Sequence, residues 1–101
     1  MEPLSRVTPA TVDVLAILQA AREPVWGLAI IKSSGRPAGS VYPILGRLER
    51  NGWVRSAWAD EPDRPGPRRR YYELTEDGAR AARPLVAEQS ARFATGRTAT
   101  P

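Results

Sequence analysis

The sequence contains no cysteine and no histidine. Those two absences exclude disulfides, ordinary zinc sites, thiol nucleophiles and imidazole bases together, leaving only carboxylates for acid–base or metal chemistry. The acidic cluster Asp60, Glu61 and Asp63 lies among Pro62, Pro65, Gly66 and Pro67, a stretch too rich in turn formers to hold a catalytic pair rigidly. No glycine loop of the phosphate-binding kind is present, and no internal repeat is visible. The expectation is therefore a protein that is not an enzyme and needs no cofactor or metal. No apolar run approaches the length of a membrane span, and the first residues lack the charged-then-apolar pattern of an export signal, so a cytoplasmic location is expected.

What the chain does have is arginine. Lys32 is the only lysine among 15 basic residues, and with 11 acidic ones the 101-residue chain carries a formal +4. Arginine's planar fork suits phosphates and base edges. A GC-rich genome gives the same bias, so clustering along the chain has to decide. The length fits one domain, near the size at which a partner subunit matters to stability.

Residues 1–7 show no period and read as a flexible arm. Thr8-Pro9 then opens a helix, Thr as N-cap and Pro in the first turn. From Thr11 to Arg22 that helix is apolar nearly all round, so it needs cover on both sides: its own domain's core and a second subunit, or a central place in one core. Pro24 ends it. Val25 reads as a short strand, Trp26–Ser34 as a second helix, and Gly35 as its close. Gly39–Gly52 reads as a third helix with Ser40 as N-cap and Pro43 in its first turn. Val41, Ile44, Leu45 and Leu48 recur at i, i+3, i+4, i+7 and face a core. Ser40, Pro43, Arg47 and Arg50 line the opposite side, the profile of a recognition helix in a helix-turn-helix.

After Gly52 the period drops to two. Trp53–Trp58 and Arg69–Leu74 read as an antiparallel hairpin, with residues 60–68 as a proline-stiffened tip. The tip is acidic first and basic after, at Arg64, Arg68, Arg69 and Arg70. These arginines read as a phosphate clamp, against the alternative of a solvated loop with local ion pairs. Strand alternation from Leu74 places Tyr72 inward and Tyr71 outward. Thr75 caps a last helix over residues 76–94, with Ala82, Leu85, Val86 and Phe93 as a thin apolar stripe and Pro84 as the site of a kink or restart. Residues 95–101 are expected to be disordered.

Helix, helix-turn-helix, hairpin and helix make a mainly α fold with a small β-hairpin: a winged helix-turn-helix domain over residues 8–75, followed by a C-terminal dimerisation helix. The blocks Ser40–Glu49 (SVYPILGRLE) and Gly66–Gly78 (GPRRRYYELTEDG), with the softer Glu23–Gly27 (EPVWG), closely resemble the PadR family of bacterial transcriptional regulators. The resemblance spans roughly Thr11 to Arg80. It implies a dimeric repressor that binds double-stranded DNA, with Ser40, Tyr42, Pro43 and Arg47 on the DNA side and the wing arginines on phosphate. Because the last helix is short and proline-interrupted and offers only Phe93 as an aromatic, no residue is assigned to an effector, and a small-molecule effector keeps no stated identity. Trp26, Trp53 and Trp58 could line a pocket, although tryptophan beside a strand is more often core. A two-fold homodimer is expected from the stripe Ala82, Leu85, Val86 and Phe93 of one subunit covering Val14, Ile17 and Leu18 of the other. The alternative is a winged helix that binds protein without specific DNA binding, since fold alone does not fix function.

Overall fold

A computed structural model describes residues 1–98 of the chain, with side chains through Arg92. Its elements in order are α1 (Pro9–Ala20), β1 (Val25–Trp26), α2 (Gly27–Ser34), α3 (Ala38–Arg50), β2 (Val54–Trp58), β3 (Arg70–Leu74) and α4 (Glu76–Thr98). The strands form one antiparallel sheet in the order β1-β3-β2. Tyr72 lies at its centre, opposite Val25 on one side and Ser56 on the other.

The helix ends follow the local chemistry. Thr8 caps α1, its Oγ1 accepting from the Thr11 amide at 3.2 Å, with Pro9 in the first turn. Gly35 closes α2 at φ 70, a conformation glycine adopts without steric penalty. Thr75 caps α4 more elaborately: its Oγ1 accepts from the Gly78 amide at 2.9 Å and donates to the Gly52 carbonyl at 2.7 Å. This seats α4 so closely on the chain entering β2 that a Cβ at Gly78 would lie 2.0 Å from the Trp53 carbonyl oxygen. The base of the wing is thereby fixed.

The core is Val14, Leu15, Leu18, Ile30, Val41, Ile44, Leu45, Leu48, Trp53, Val54, Tyr72 and Ala82. It takes the inner face of α3 whole, as the 3.6-residue spacing predicts. Asp13, the one acidic residue in the apolar run of α1, faces inward to a polar clasp: it pairs with Arg36 at 2.8 Å and accepts from Gln89 Nε2 at 2.8 Å. One carboxylate thus ties α1 to the α2–α3 turn and to α4.

Five features differ from the sequence reading. Helix α3 starts at Ala38, so Ser40 lies inside it and is not its cap, and the preceding Pro37 offers no side-chain cap. Pro43 accordingly sits past the first turn. The helix absorbs it because Pro43 and Gly39 are exposed, leaving the unpartnered Gly39 carbonyl open to water. Pro84 does not restart α4 for the same reason, as it lies on the exposed side of a helix whose other face packs on α1. The helical backbone also continues past residue 94 to Thr98, so the expected tail is helical over residues 95–98, while residues 99–101 lie outside the described region. The N-terminal arm is docked: Glu2 N donates to the Asn51 carbonyl at 2.9 Å and Trp53 Nε1 donates to the Glu2 carbonyl at 2.7 Å. These are mainly backbone contacts and leave no periodic trace in sequence.

The fifth difference concerns the stripe on α4. Within a single chain α4 already lies on α1, and Val14, Leu18 and Ala82 are buried at 0, 5 and 0% exposure. These three belong to the chain's own core and have no surface left for a partner. Ile17, Leu85 and Val86 are only partly buried, and the side chain of Phe93 lies outside the described residues.

Candidate nucleic-acid interface

The outer face of α3 exists because its inner face is committed. With Val41, Ile44, Leu45 and Leu48 each at most 6% exposed, helical geometry turns Tyr42, Pro43 and Arg50 to solvent, with Ser40 and Arg47 on the flanks. Neither Arg47 nor Arg50 has an acidic partner among the described residues. Their guanidiniums are free to meet an anion or a base edge. Tyr42 is 45% exposed, and its ring lies against the start of α2, where a Cβ at Gly27 would come within 3.0 Å of Tyr42 Cε1 and 3.2 Å of its hydroxyl. A side chain at Gly27 would crowd the Tyr42 ring and push it outward.

The wing is the segment joining β2 and β3, and its four arginines are held in four different ways. Arg64 works inside the loop, pairing with Glu61 at 3.0 Å and donating to the carbonyls of Pro65 and Pro67. In the free chain the local ion-pair alternative therefore describes this residue, which shapes the tip. Arg69 lies over Trp26, its Cζ 4.0 Å from the ring centroid. Arg70 sits 3.5 Å from Glu49 of α3 and 5.0 Å from the Trp58 centroid. Arg68 is exposed, 5.2 Å from the same indole, with no acidic partner among the described residues. Cation–π contact of this kind holds a guanidinium in place without neutralising it.

Wing and helix are bolted together through Glu49. Its carboxylate accepts from Ser56 Oγ at 2.5 Å and faces Arg70 on the neighbouring strand. Tyr72 lies below this group. Burial pushes its hydroxyl above the ordinary value of 10.0, while Arg70 pulls it partly back and the charges of Glu49 and Tyr42 add to the rise. On the outer side of the sheet, Arg55 and Glu73 form a cross-strand pair at 2.8 Å in the register that places them opposite each other.

One cleft brings Tyr42 of α3 together with Arg68 and Arg70 of the wing, while Ser40, Pro43, Arg47 and Arg50 share the outer side of α3, Arg69 lies over Trp26, and Arg64 is tied into the wing tip. Sequence reasoning named Trp58 only as a pocket residue, which with Trp26 it is, and missed Glu49 as part of this surface. Both had a signal. Trp58 shares strand alternation with Val54 and Ser56, so it points toward α3, but at the end of the sheet it passes the core and remains 51% exposed. Of the other tryptophans, Trp53 is core and Trp26 is half-buried under Arg69.

Residues 14–84 match the family model described as the transcriptional regulator PadR-like family. Among solved structures, the chain is similar to a PadR-like transcription factor from Bacteroides fragilis, at 24% identity and TM-score 0.63, covering 89% of this chain and 88% of that one. It is also similar to smu.1704 from Streptococcus mutans UA159, at 25% identity and TM-score 0.68 over 89% and 87% of the two chains. The zinc-responsive MarR family member ZitR of Lactococcus lactis gives 21% identity and TM-score 0.74, over 96% of this chain but 63% of its own length. At that identity the likeness is one of fold. No curated protein matches the sequence. No helix among the described residues is long and apolar enough to cross a membrane.

Proposed function

The chain belongs to the PadR-like family of transcriptional regulators, and from that premise we propose that it is a repressor that binds a palindromic duplex operator as a homodimer. DNA binding follows from the family, and the winged helix-turn-helix fold is the one its structural neighbours share. The observation that carries the finer reading is the outer face of α3, where Arg47 and Arg50 stand without acidic partners among the described residues, on a helix whose other face is buried. In this reading α3 enters the major groove, Arg47 reads base edges, Ser40, Tyr42 and Pro43 border the contact, and Arg68, Arg69 and Arg70 lie along backbone phosphates. It acts in the cytoplasm and catalyses no reaction.

The dimer rests on what α1 and α4 leave uncovered. Ile17, Leu85 and Val86 retain surface, and Leu85 also lines a cleft of about 310 Å³ in which Val7, Pro9 and Val12 face the polar side chains of Glu88, Gln89 and Arg92. A second copy's α4 laid across this face makes an isologous contact and sets two α3 helices for half-sites roughly 34–36 Å apart. A footprint on the DNA flanking the protein's own gene, with light scattering on the same sample, tests both parts. Protection of a palindrome by a dimer is expected, and Leu85→Asp should give a monomer that binds a half-site poorly. A stable monomer that binds every duplex alike would favour the protein-binding alternative.

A further inference from the structure

Trp58 steadies two wing arginines, yet that task does not call for a ring so open to solvent. Half of its surface is exposed, at 51%, whereas tryptophan is ordinarily highly buried. Two guanidiniums flank its ring, Arg68 at 5.2 Å and Arg70 at 5.0 Å. Across from it stands Tyr42 of α3, also exposed, and between them opens a cleft of about 250 Å³ floored by Trp26 and Tyr72. The cleft's walls are aromatic and its rim is cationic. Glu49 Oε2 accepts from Ser56 at 2.5 Å and faces Arg70 at 3.5 Å, so it offsets part of one guanidinium's charge, whereas Arg68 has no acidic partner among the described residues. An occupant that matches this lining must present an apolar face and an anionic oxygen side by side.

We propose that this cleft seats a segment of the duplex sugar–phosphate backbone, the deoxyribose carbons lying on Trp58 and Tyr42 and the adjacent phosphate meeting Arg68 and Arg70. The DNA backbone carries both features in every repeat unit, and a duplex entered by α3 runs its backbone past the space between helix and wing. The inference rests on the DNA-binding reading and adds to it an apolar contact independent of base sequence. Such a contact has its own signature. An indole releases no counterion, so its removal lowers affinity at every salt concentration equally, whereas loss of an arginine on phosphate also flattens the salt dependence.

Binding of a short mixed-sequence duplex is followed by fluorescence anisotropy across a salt series for the intact chain, Trp58→Ala, Trp58→Phe and Arg68→Ala. Trp58→Ala should weaken binding roughly five- to tenfold with an unchanged slope of log K against log salt, the effect of one lost apolar contact. Trp58→Phe should recover most of that loss, and Arg68→Ala should reduce the slope by about 0.9. As a second readout, duplex should shield from acrylamide an emission component that is missing in Trp58→Phe. Because Trp58 is outside the core, thermal melts of the variants should match the parent. Wild-type affinity in Trp58→Ala would overturn the proposal and leave DNA binding standing. A flattened slope in Trp58→Ala would also overturn it, by showing that the indole only props the two guanidiniums. Absence of duplex binding by the intact chain would remove the DNA-binding reading and this one with it.

Discussion

Helix α3 and the wing meet at one cleft and present the same kind of side chain, yet they hold it by different means. Arg47 and Arg50 are oriented by burial: four apolar residues lock the opposite face of α3, and the arginines need no partner of their own. The wing has little core behind it. Its arginines are oriented by local contacts, Arg64 through Glu61 and loop carbonyls, Arg69 through Trp26, and Arg70 through Glu49 and Trp58. A helix presents charge at the expense of its other face, whereas a hairpin tip has to bring its own supports. Arg68 alone among the four wing arginines leans only on an exposed indole.

The contrast can be broken first from the α3 side. Leu48 is 1% exposed, and Leu48→Ala should destabilise the fold by about 2–5 kcal/mol because the close-packed surroundings refill the gap only partly. Arg64→Ala at the wing tip should change stability by no more than about 1 kcal/mol, since its ion pair and carbonyl contacts are local to a loop with little core behind it. Urea unfolding of the pair measures this, and similar losses would mean that the wing shares the core after all.

A smaller effect sharpens the contrast at the joint. Glu49→Gln keeps a hydrogen-bond partner for Ser56 but removes the charge that faces Arg70. Affinity for operator and random duplex should rise together by a few-fold, with a salt slope steeper by up to about 0.9. If operator affinity rose alone in a salt-titrated mobility shift, Glu49 would be tuning base reading in α3 instead.

The smallest effect is alkaline. Burial holds the Tyr72 hydroxyl above its ordinary 10.0 in the folded chain. Since the folded value exceeds the unfolded one, the stability linked to the protonated hydroxyl is complete below the unfolded value and is lost as pH rises through the folded one. Unfolding followed from about pH 8 to pH 11 should therefore show the parent losing stability on its alkaline limb relative to Tyr72→Phe. Parallel limbs would contradict the cause assigned here.

How much of this the sequence disclosed follows the same division. The four apolar positions of α3, the Thr8 and Thr75 caps, Gly35, and the inward Tyr72 were legible because each obeys a local rule of period or capping. The start of α3 at Ala38 was not, because it begins without a side-chain cap and tolerates Pro43 on its exposed side. The fate of Arg64 was ambiguous for a related reason: a run of acids and arginines fixes no pairing, and only the fold of the tip brings Glu61 to Arg64. Val14, Leu18 and Ala82 were correctly read as needing cover. Periodicity alone does not tell whether α4 covers them from the same chain or from another, and in the structure the same chain does.

The division of labour between helix and wing is tested most directly by comparing Arg47→Ala with Arg68→Ala on footprinted operator and random duplex over one salt series. The account predicts that Arg47→Ala narrows the operator–random difference by about 1–3 kcal/mol. It predicts that Arg68→Ala weakens both duplexes alike and lowers the salt slope by about 0.9. Discrimination left intact by Arg47→Ala, or lost with Arg68→Ala, would contradict it.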